Sequence, residues 1–155
     1  KPIDLCDAIP EEWLYYSPTL PYCQGIPEEA HITLLYGLLK PGPEMKDAVD
    51  EVLKGWRAKD PRGYMLDVFQ SSNNEPYAWI VLRIEDSPNL TEAHARLSML
   101  PHIDTFWEFK PHLTLAYVHQ EYAQRTVLNI QRKLNAKDIF VFTSLIPIGI
   151  NYGGD

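Results

Sequence analysis

Two short segments of this chain repeat one alternation of side chains, and the alternation limits what each segment can form. Residues 31–34 read His-Ile-Thr-Leu, and residues 112–115 read His-Leu-Thr-Leu. In a β-strand, residues i and i+2 project from the same face. Each segment is therefore predicted to be a strand with an imidazole and a hydroxyl on one face and apolar side chains on the other. The same alternation turns Tyr36 and Tyr117 away from the histidines and predicts that both tyrosines pack in the core.

If the two strands face each other, the chain supplies two acid/base groups, His31 and His112, and two hydroxyl donors, Thr33 and Thr114. A single His-x-Thr match is a weak motif, because a histidine in an apolar strand is more often a hydrogen-bonded core residue. Two matches, both in segments whose apolar residues already predict strands, favour a functional pair. The other histidines lack the threonine and are interpreted as surface or packing residues: His94, His102 and His119.

The apolar spacing predicts an α+β protein with one domain over residues 1–155. Residues 1–29 are rich in proline and aromatic residues and are expected to be irregular. Strand patterns cover residues 30–37, 63–70, 77–84 and 112–118, and one or two more strands are expected within 138–150. Helical spacing covers residues 44–57, 90–99 and 120–134. A similar order of elements follows each His-x-Thr segment, which predicts two lobes that each contribute one such strand to a central groove.

Composition excludes several classes of function. The formal net charge is −7, which argues against a protein that grips long DNA or RNA through many phosphates but allows a small phosphate ligand. No apolar run approaches the ~20 residues of a membrane-spanning helix, and no secretory signal pattern is present. Cys6 and Cys23 are interpreted as reduced thiols of a cytoplasmic protein, with a disulfide as the alternative. No spacing of ligand residues suggests a metal site or another cofactor.

The two segments and their flanks resemble the signature of the 2H phosphoesterase superfamily, whose members carry two His-x-Thr/Ser motifs. The resemblance runs from about Glu28 to Val118. It implies a bilobal, LigT-like fold with two pseudo-symmetric antiparallel sheet lobes around a central groove and helices outside. The amino-acid sequences of the two motifs and their flanks also resemble those of phage-encoded members, among them the anti-CBASS nucleases that destroy cyclic oligonucleotide signals. Residues 1–29 lack the first strand that members of the superfamily usually have.

Cleavage of a phosphodiester beside a 2′-oxygen needs a base, an acid and donors for the phosphoryl oxygens. Imidazole titrates near ~6.5 and serves as acid or base at neutral pH, so His31 and His112 fit both roles, in an order that the sequence leaves open. Thr33 and Thr114 are expected to donate to the non-bridging oxygens, and no metal is needed. The implied enzyme is a hydrolase that acts on phosphoric diesters.

Five further residues are candidates for substrate binding. Lys110 lies two positions before His112 and would neutralise phosphate if the strand extended that far. Trp107 and Phe109 lie on the connection into the second motif and would stack on bases or else cover the core. Tyr15 and Tyr152 lie in irregular segments that would serve as lids.

The substrate predicted from these features is a small nucleotide, and cyclic di- or trinucleotides are favoured over RNA ends that carry a 2′,3′-cyclic phosphate. A phage enzyme of this kind would work in the host cytoplasm, without long nucleic acids or membranes as partners. A binding module that holds nucleotides without turnover is the alternative from another class, although both His/Thr pairs are intact. The chain starts at Lys1 without methionine, so a domain of a larger protein is a further alternative. Base preference, linkage preference and oligomeric state are left open.

Overall fold

A computed structural model describes residues 7–71, 74–103, 108–136, 143–144, 147 and 149–152. The described strands are β1 (Arg62–Gln70), β2 (Tyr77–Ile84), β3 (His112–His119) and β4 (Thr143–Ser144). The described helices are α1 (Lys46–Val52), α2 (Pro88–Leu97) and α3 (Ala123–Ala136), with 3-10 turns at Glu11–Trp13, Gly42–Met45 and Gln120–Tyr122. The protein is therefore α+β, as the apolar spacing predicts.

The four strands form one antiparallel sheet in the order β3-β2-β1-β4. β2 lies between two partners, and most of its side chains are buried, as its nearly continuous apolar run requires. At Gly63 in β1 the backbone comes close to Leu82 of β2. A Cβ added at Gly63 would overlap the Leu82 side chain, so only glycine fits there without movement of that side chain.

One face of the sheet packs against α3 and forms the main core. Ile80 of β2, Leu115 of β3 and Ile130 of α3 lie in this cluster and are almost fully buried. A second cluster joins α1 to α2 through Val49 and Leu97. The apolar stripe of α3 is therefore explained by the sheet, and those of α1 and α2 by each other.

The predicted hairpin is confirmed, since residues 63–70 and 77–84 fall within β1 and β2. The predicted helix over 90–99 begins two residues earlier, because Pro88 occupies the first turn and the Ser87 hydroxyl caps the Leu90 amide. The predicted helix over 44–57 is too long. It runs only from 46 to 52 after a 3-10 turn, and the chain then passes through Gly55 at φ +79°.

The strand predicted for residues 30–37 is wrong. This segment makes one bridge, from Ile32 to Leu113 of β3, and the next bridge along the chain is at Leu38, just after the segment. The reason lies at the edge of β3 that faces away from β2, because the N-terminal segment also makes backbone hydrogen bonds there. The Tyr15 amide donates to the Tyr117 carbonyl, and the Tyr117 amide donates to the Gly25 carbonyl. Only a short stretch of this edge is left for the first His-x-Thr segment.

The described strands belong to a single sheet, so the two pseudo-symmetric lobes stay a prediction. The strands predicted within 138–150 fall mostly outside the described residues, apart from β4, which pairs with β1. Within the described part of the chain, no helix is long and apolar enough to cross a membrane.

Candidate active site

The two His-x-Thr segments meet at one backbone pairing. Ile32, the middle residue of the first motif, forms an antiparallel bridge with Leu113, the middle residue of the second. Leu113 is buried in the main core, and Ile32 is half-buried against it. Because neighbouring residues of an extended chain project to opposite sides, the histidine and threonine of each motif point away from this core. We call the side on which they lie the histidine face.

The bridge also places the catalytic candidates side by side. His31 and Thr33 flank Ile32 on one side of the pairing, and His112 and Thr114 flank Leu113 on the other. The two His/Thr pairs are therefore neighbours on the histidine face. His31 and Thr33 are exposed, whereas His112 and Thr114 are half-buried.

The two imidazoles are held by the same local hydrogen bond. Nδ1 of His31 lies 3.3 Å from the carbonyl oxygen of Glu29, and Nδ1 of His112 lies 2.9 Å from that of Lys110. A carbonyl oxygen only accepts, so Nδ1 carries the hydrogen in both rings. A neutral ring in this tautomer leaves Nε2 as the acceptor, which is the atom that a general base needs.

His112 has a perturbed acidity. Burial lowers its pKa, the bond to the Lys110 carbonyl opposes that change, and the nearby His31 and Arg83 lower the pKa further because a second positive charge is unfavourable there. The electrostatic interaction between the two histidines follows from the single bridge between their motifs. The neutral form of His112 is therefore favoured.

Arg83 is a residue of the histidine face that the motif analysis missed. It pairs directly with His112 in the β2–β3 ladder, and its Nη1 donates to Oδ2 of Asp67 at 3.1 Å. Its Nε is a buried side-chain atom without a hydrogen-bond partner among the described residues. One charged residue in the otherwise apolar β2 sequence is the signal that could have found it. The pairing of Arg83 with His112 places a partly desolvated guanidinium cation beside the second motif.

A β-bulge in β3 changes which residues share the histidine face. Val81 pairs with Thr114, but Trp79, two residues away, pairs with Tyr117. Thr114 and Tyr117 therefore lie on one face although they are three residues apart. The prediction that Tyr117 lies on the opposite face is wrong for this reason. Tyr117 nevertheless packs, half-buried, against the buried cluster of Tyr15, Cys23 and Tyr77. The prediction of core packing is wrong for Tyr36, which is 59% exposed.

Aromatic side chains continue the histidine face along the sheet. The ring of Phe69 lies edge-on to His112 at 5.0 Å and to Trp79 at 5.7 Å, and Trp79 lies 6.4 Å from Tyr117. We call Phe69, Trp79 and Tyr117 the aromatic wall. The wall continues through Phe69 to the His112 imidazole, so a planar apolar group bound to it would lie next to this catalytic candidate.

The N-terminal segment closes the far end of the wall. Cys23 is a fully buried free thiol there, and it packs with Tyr15 and Tyr77. Hydroxyls of Tyr15, Ser17 and Thr19 all donate to the Glu75 carboxylate in the turn between β1 and β2. The bonds from Thr19 and Ser17 are the main causes that lower the pKa of Glu75. Tyr15 therefore anchors this segment, and its side chain is buried.

The other predicted binding residues lie in several places. Lys110 is exposed and precedes β3, with its Nζ 3.8 Å from Glu108. Phe109 is half-buried against the main core and stacks on His94, which favours the packing interpretation for both residues. Trp107 lies outside the described residues. Tyr152 donates to Asp50 on α1 and packs against the second core cluster, as Leu34 and Leu35 do.

The described residues contain no group of three or more histidine, cysteine, aspartate or glutamate side chains that could hold a metal ion. What they bring together is two imidazoles, two hydroxyls and one guanidinium on a single face. Such a set provides proton transfer, hydrogen-bond donation and charge stabilisation at one phosphoryl group.

Comparison with known proteins gives one family. The family model described as the 2′-5′ RNA ligase superfamily matches residues 25–143. This range is well over half of the chain and contains both motifs, the whole hairpin and all three α-helices. No curated protein matches the chain.

Proposed function

This chain belongs to the 2′-5′ RNA ligase superfamily, and on that premise we propose that it is a metal-independent phosphodiesterase acting on small nucleotides. Membership in this superfamily suggests phosphodiester chemistry of the 2H phosphoesterase type. The observation that carries the proposal is the Ile32–Leu113 bridge, because it places the two motifs, each with its His/Thr pair, side by side. The shared Nδ1 hydrogen bond supports it further, since both rings have Nε2 available for proton transfer.

His112 is the general base in the first step of the proposed reaction. Its Nε2 takes the proton from the attacking hydroxyl, either water or a ribose 2′-OH, while the attacking oxygen forms its bond to phosphorus. His31, in its protonated form, gives a proton to the leaving oxygen as the old P–O bond breaks. The lowered pKa of His112 supports this order. Each such proton transfer contributes ~10²–10⁴-fold in rate.

Thr33 and Thr114 donate hydrogen bonds to the non-bridging oxygens in this scheme. Arg83 stabilises the negative charge that grows on them, while Asp67 holds one side of the guanidinium. The proposal therefore needs five side chains of this chain and no metal ion.

The aromatic wall supports a nucleotide as the substrate, because bases stack on aromatic rings for ~1–3 kcal/mol each. The net charge of −7 disfavours long nucleic acids. Cyclic di- and trinucleotides are therefore the first substrates to test, as expected for a phage enzyme that destroys an immune signal. RNA ends with a 2′,3′-cyclic phosphate are the second candidate, favoured by the description of the superfamily. A binding module without turnover is the third.

The test is a turnover assay in the presence of EDTA. The purified protein is incubated with 3′,3′- and 2′,3′-linked cyclic dinucleotides, cyclic trinucleotides and oligonucleotides ending in a 2′,3′-cyclic phosphate, and the products are identified by mass spectrometry. His31→Ala and His112→Ala should abolish cleavage and keep the fold. His119→Ala is the matched control, because His119 ends the same strand, at the end opposite His112. Bound nucleotide recovered intact from wild type would indicate a binding module, and equal cleavage by all variants would contradict the mechanism.

A further inference from the structure

His94 of α2 contacts the segments that flank both His-x-Thr motifs. Its Nδ1 donates to the carbonyl oxygen of Leu34 at 2.8 Å. Its ring stacks face to face on Phe109, with centroids 4.4 Å apart and planes within 5°. Leu34 directly follows Thr33, and Phe109 lies three residues before His112. One half-buried imidazole therefore joins the chain that leaves the first motif to the chain that enters the second.

We propose that His94 is a positioning residue, which fixes the distance and angle between the two His/Thr pairs. This inference rests on the proposed function, since it assumes that the pairs act on one phosphate. His94 lies on a helix, and its hydrogen bond and its ring contact are with Leu34 and Phe109, which lie outside the two His/Thr pairs. Its contribution is to the geometry of His31 and His112.

The first motif needs such a support because it packs Ile32 and Leu34 against the main core but has little backbone pairing of its own. Residues 30–37 form no strand, and their direct backbone pairing with β3 is the single bridge at Ile32. Further along, the Ile103 amide donates to Gly37 and Leu38 bridges His102. The bond from His94 to Leu34 lies between these two points. A displacement of ~1 Å in a catalytic group can cost ~10²-fold in rate, so one additional tie at this position matters.

The helix that carries His94, α2, is held in place by packing and by hydrogen bonds. Ala93 and Leu97, which flank His94 on the helix, are buried in the second core cluster. The indole of Trp56 donates to the Asn89 carbonyl at 2.8 Å, and Nη1 of Arg96 donates to the Lys54 carbonyl at 3.1 Å. The helix is thus hydrogen-bonded at two points to the segment after α1, and His94 lies on a helix that is held in place by packing and hydrogen bonds.

Three substitutions separate the two contacts of His94. H94N keeps a donor near the position of Nδ1 and removes the stacking ring. H94F keeps the flat ring and removes the donor, and H94A removes both. L134A is the control for lost stability, because Leu134 is buried in the main core on α3.

Two readouts are needed. The first is kcat and KM on the substrate found in the turnover assay, and the second is the NMR signals of the His31 and His112 imidazoles in the protein without substrate. H94A should lower kcat ~10- to 100-fold with KM changed less than about twofold, and H94N and H94F should each recover part of that loss. H94A should also shift the imidazole signals of both histidines, and L134A should shift neither.

The outcomes separate this inference from the proposed function. Shifted signals of both histidines in H94A support the positioning role even if wild type cleaves no nucleotide, a result that would count against the proposed function alone. Unchanged signals, or a shift confined to one of the two histidines, would overturn the positioning role. A fall in kcat that only matches the fraction of unfolded protein, as in L134A, would overturn it as well.

Discussion

Ile32 and Leu113 form an antiparallel bridge, so the middle residues of the two His-x-Thr motifs lie directly opposite each other. Every catalytic candidate is placed by this relationship. The two apolar residues rest on the main core, and the polar residues on either side of them are turned to the histidine face. The candidate site therefore consists of two adjacent segments of one surface, and Arg83 of β2 lies beside them, paired with His112.

The pH dependence of the reaction tests the role of Arg83. Its positive charge helps to lower the pKa of His112, so Arg83→Met should raise that pKa. If His112 is the base, activity is lost as it becomes protonated, and the acidic limb of kcat/KM against pH should move to higher pH in the variant. The rate at the optimum should also fall ~10²–10³-fold, as for the loss of an oxyanion donor.

The control for this change is Arg62→Met, because Arg62 is exposed at the start of β1. Its profile should match that of wild type. An acidic limb that stays in place in Arg83→Met would argue that another group is the base.

The threonine hydroxyls are predicted to act as donors in the transition state. Thr114→Val keeps the shape of the side chain and removes the hydroxyl, so kcat should fall about 10²-fold with a smaller change in KM. Thr114→Ser should retain most of the rate. Thr33 should behave in the same way, because it flanks the bridge on the first motif as Thr114 does on the second. Thr91→Val, on the exposed surface of α2, is the control, and equal losses in all three valine variants would contradict a specific role.

The local sequence pattern was sufficient to predict the parts of this fold that depend on residues close together in the sequence. Residues 112–118 alternate, and they form β3 as predicted. The hairpin of β1 and β2 was predictable because its strands flank a turn-rich sequence and pair with each other. The helices were predictable to within a few residues wherever a cap or a proline marked their ends, as Ser87 and Pro88 do for α2.

The features that the sequence analysis predicted wrongly or did not find depend on contacts between residues distant in sequence. Residues 30–37 look like a strand, but whether they form one is decided by how much of the β3 edge the N-terminal segment leaves free. Tyr117 lies on the histidine face because β3 has a bulge, which is a property of the β2–β3 ladder and leaves no trace in the alternation. The pairing of Arg83 with His112 and Asp67 likewise requires the register of three strands.

The aromatic wall is predicted to bind the base of the substrate. Tyr117→Leu removes a ring but keeps an apolar side chain on the sheet, so KM for a nucleotide substrate should rise about 5- to 150-fold, as expected from ~1–3 kcal/mol per stacked base. Cleavage of a small phosphodiester without a base should change little. Tyr16→Leu is the matched control, since Tyr16 is exposed and its hydroxyl donates to Glu11 at 2.8 Å. A similar loss on both kinds of substrate would argue against stacking.

The Glu75 carboxylate should make the stability of the protein depend on pH. Hydrogen bonds from Thr19 and Ser17 lower its pKa below the usual 4.5, so the unfolded chain binds the proton more readily than the folded protein does. The contribution of Glu75 to stability is therefore present above pH 4.5 and is lost as the pH falls through the lowered pKa. Glu75→Gln should reduce the urea midpoint at pH 7 and flatten its dependence on pH below 4.5. Glu121→Gln, at an exposed carboxylate, should keep the wild-type dependence of the urea midpoint on pH. If Glu75→Gln also kept that dependence, the hydrogen bonds to Glu75 would not hold the N-terminal segment in place.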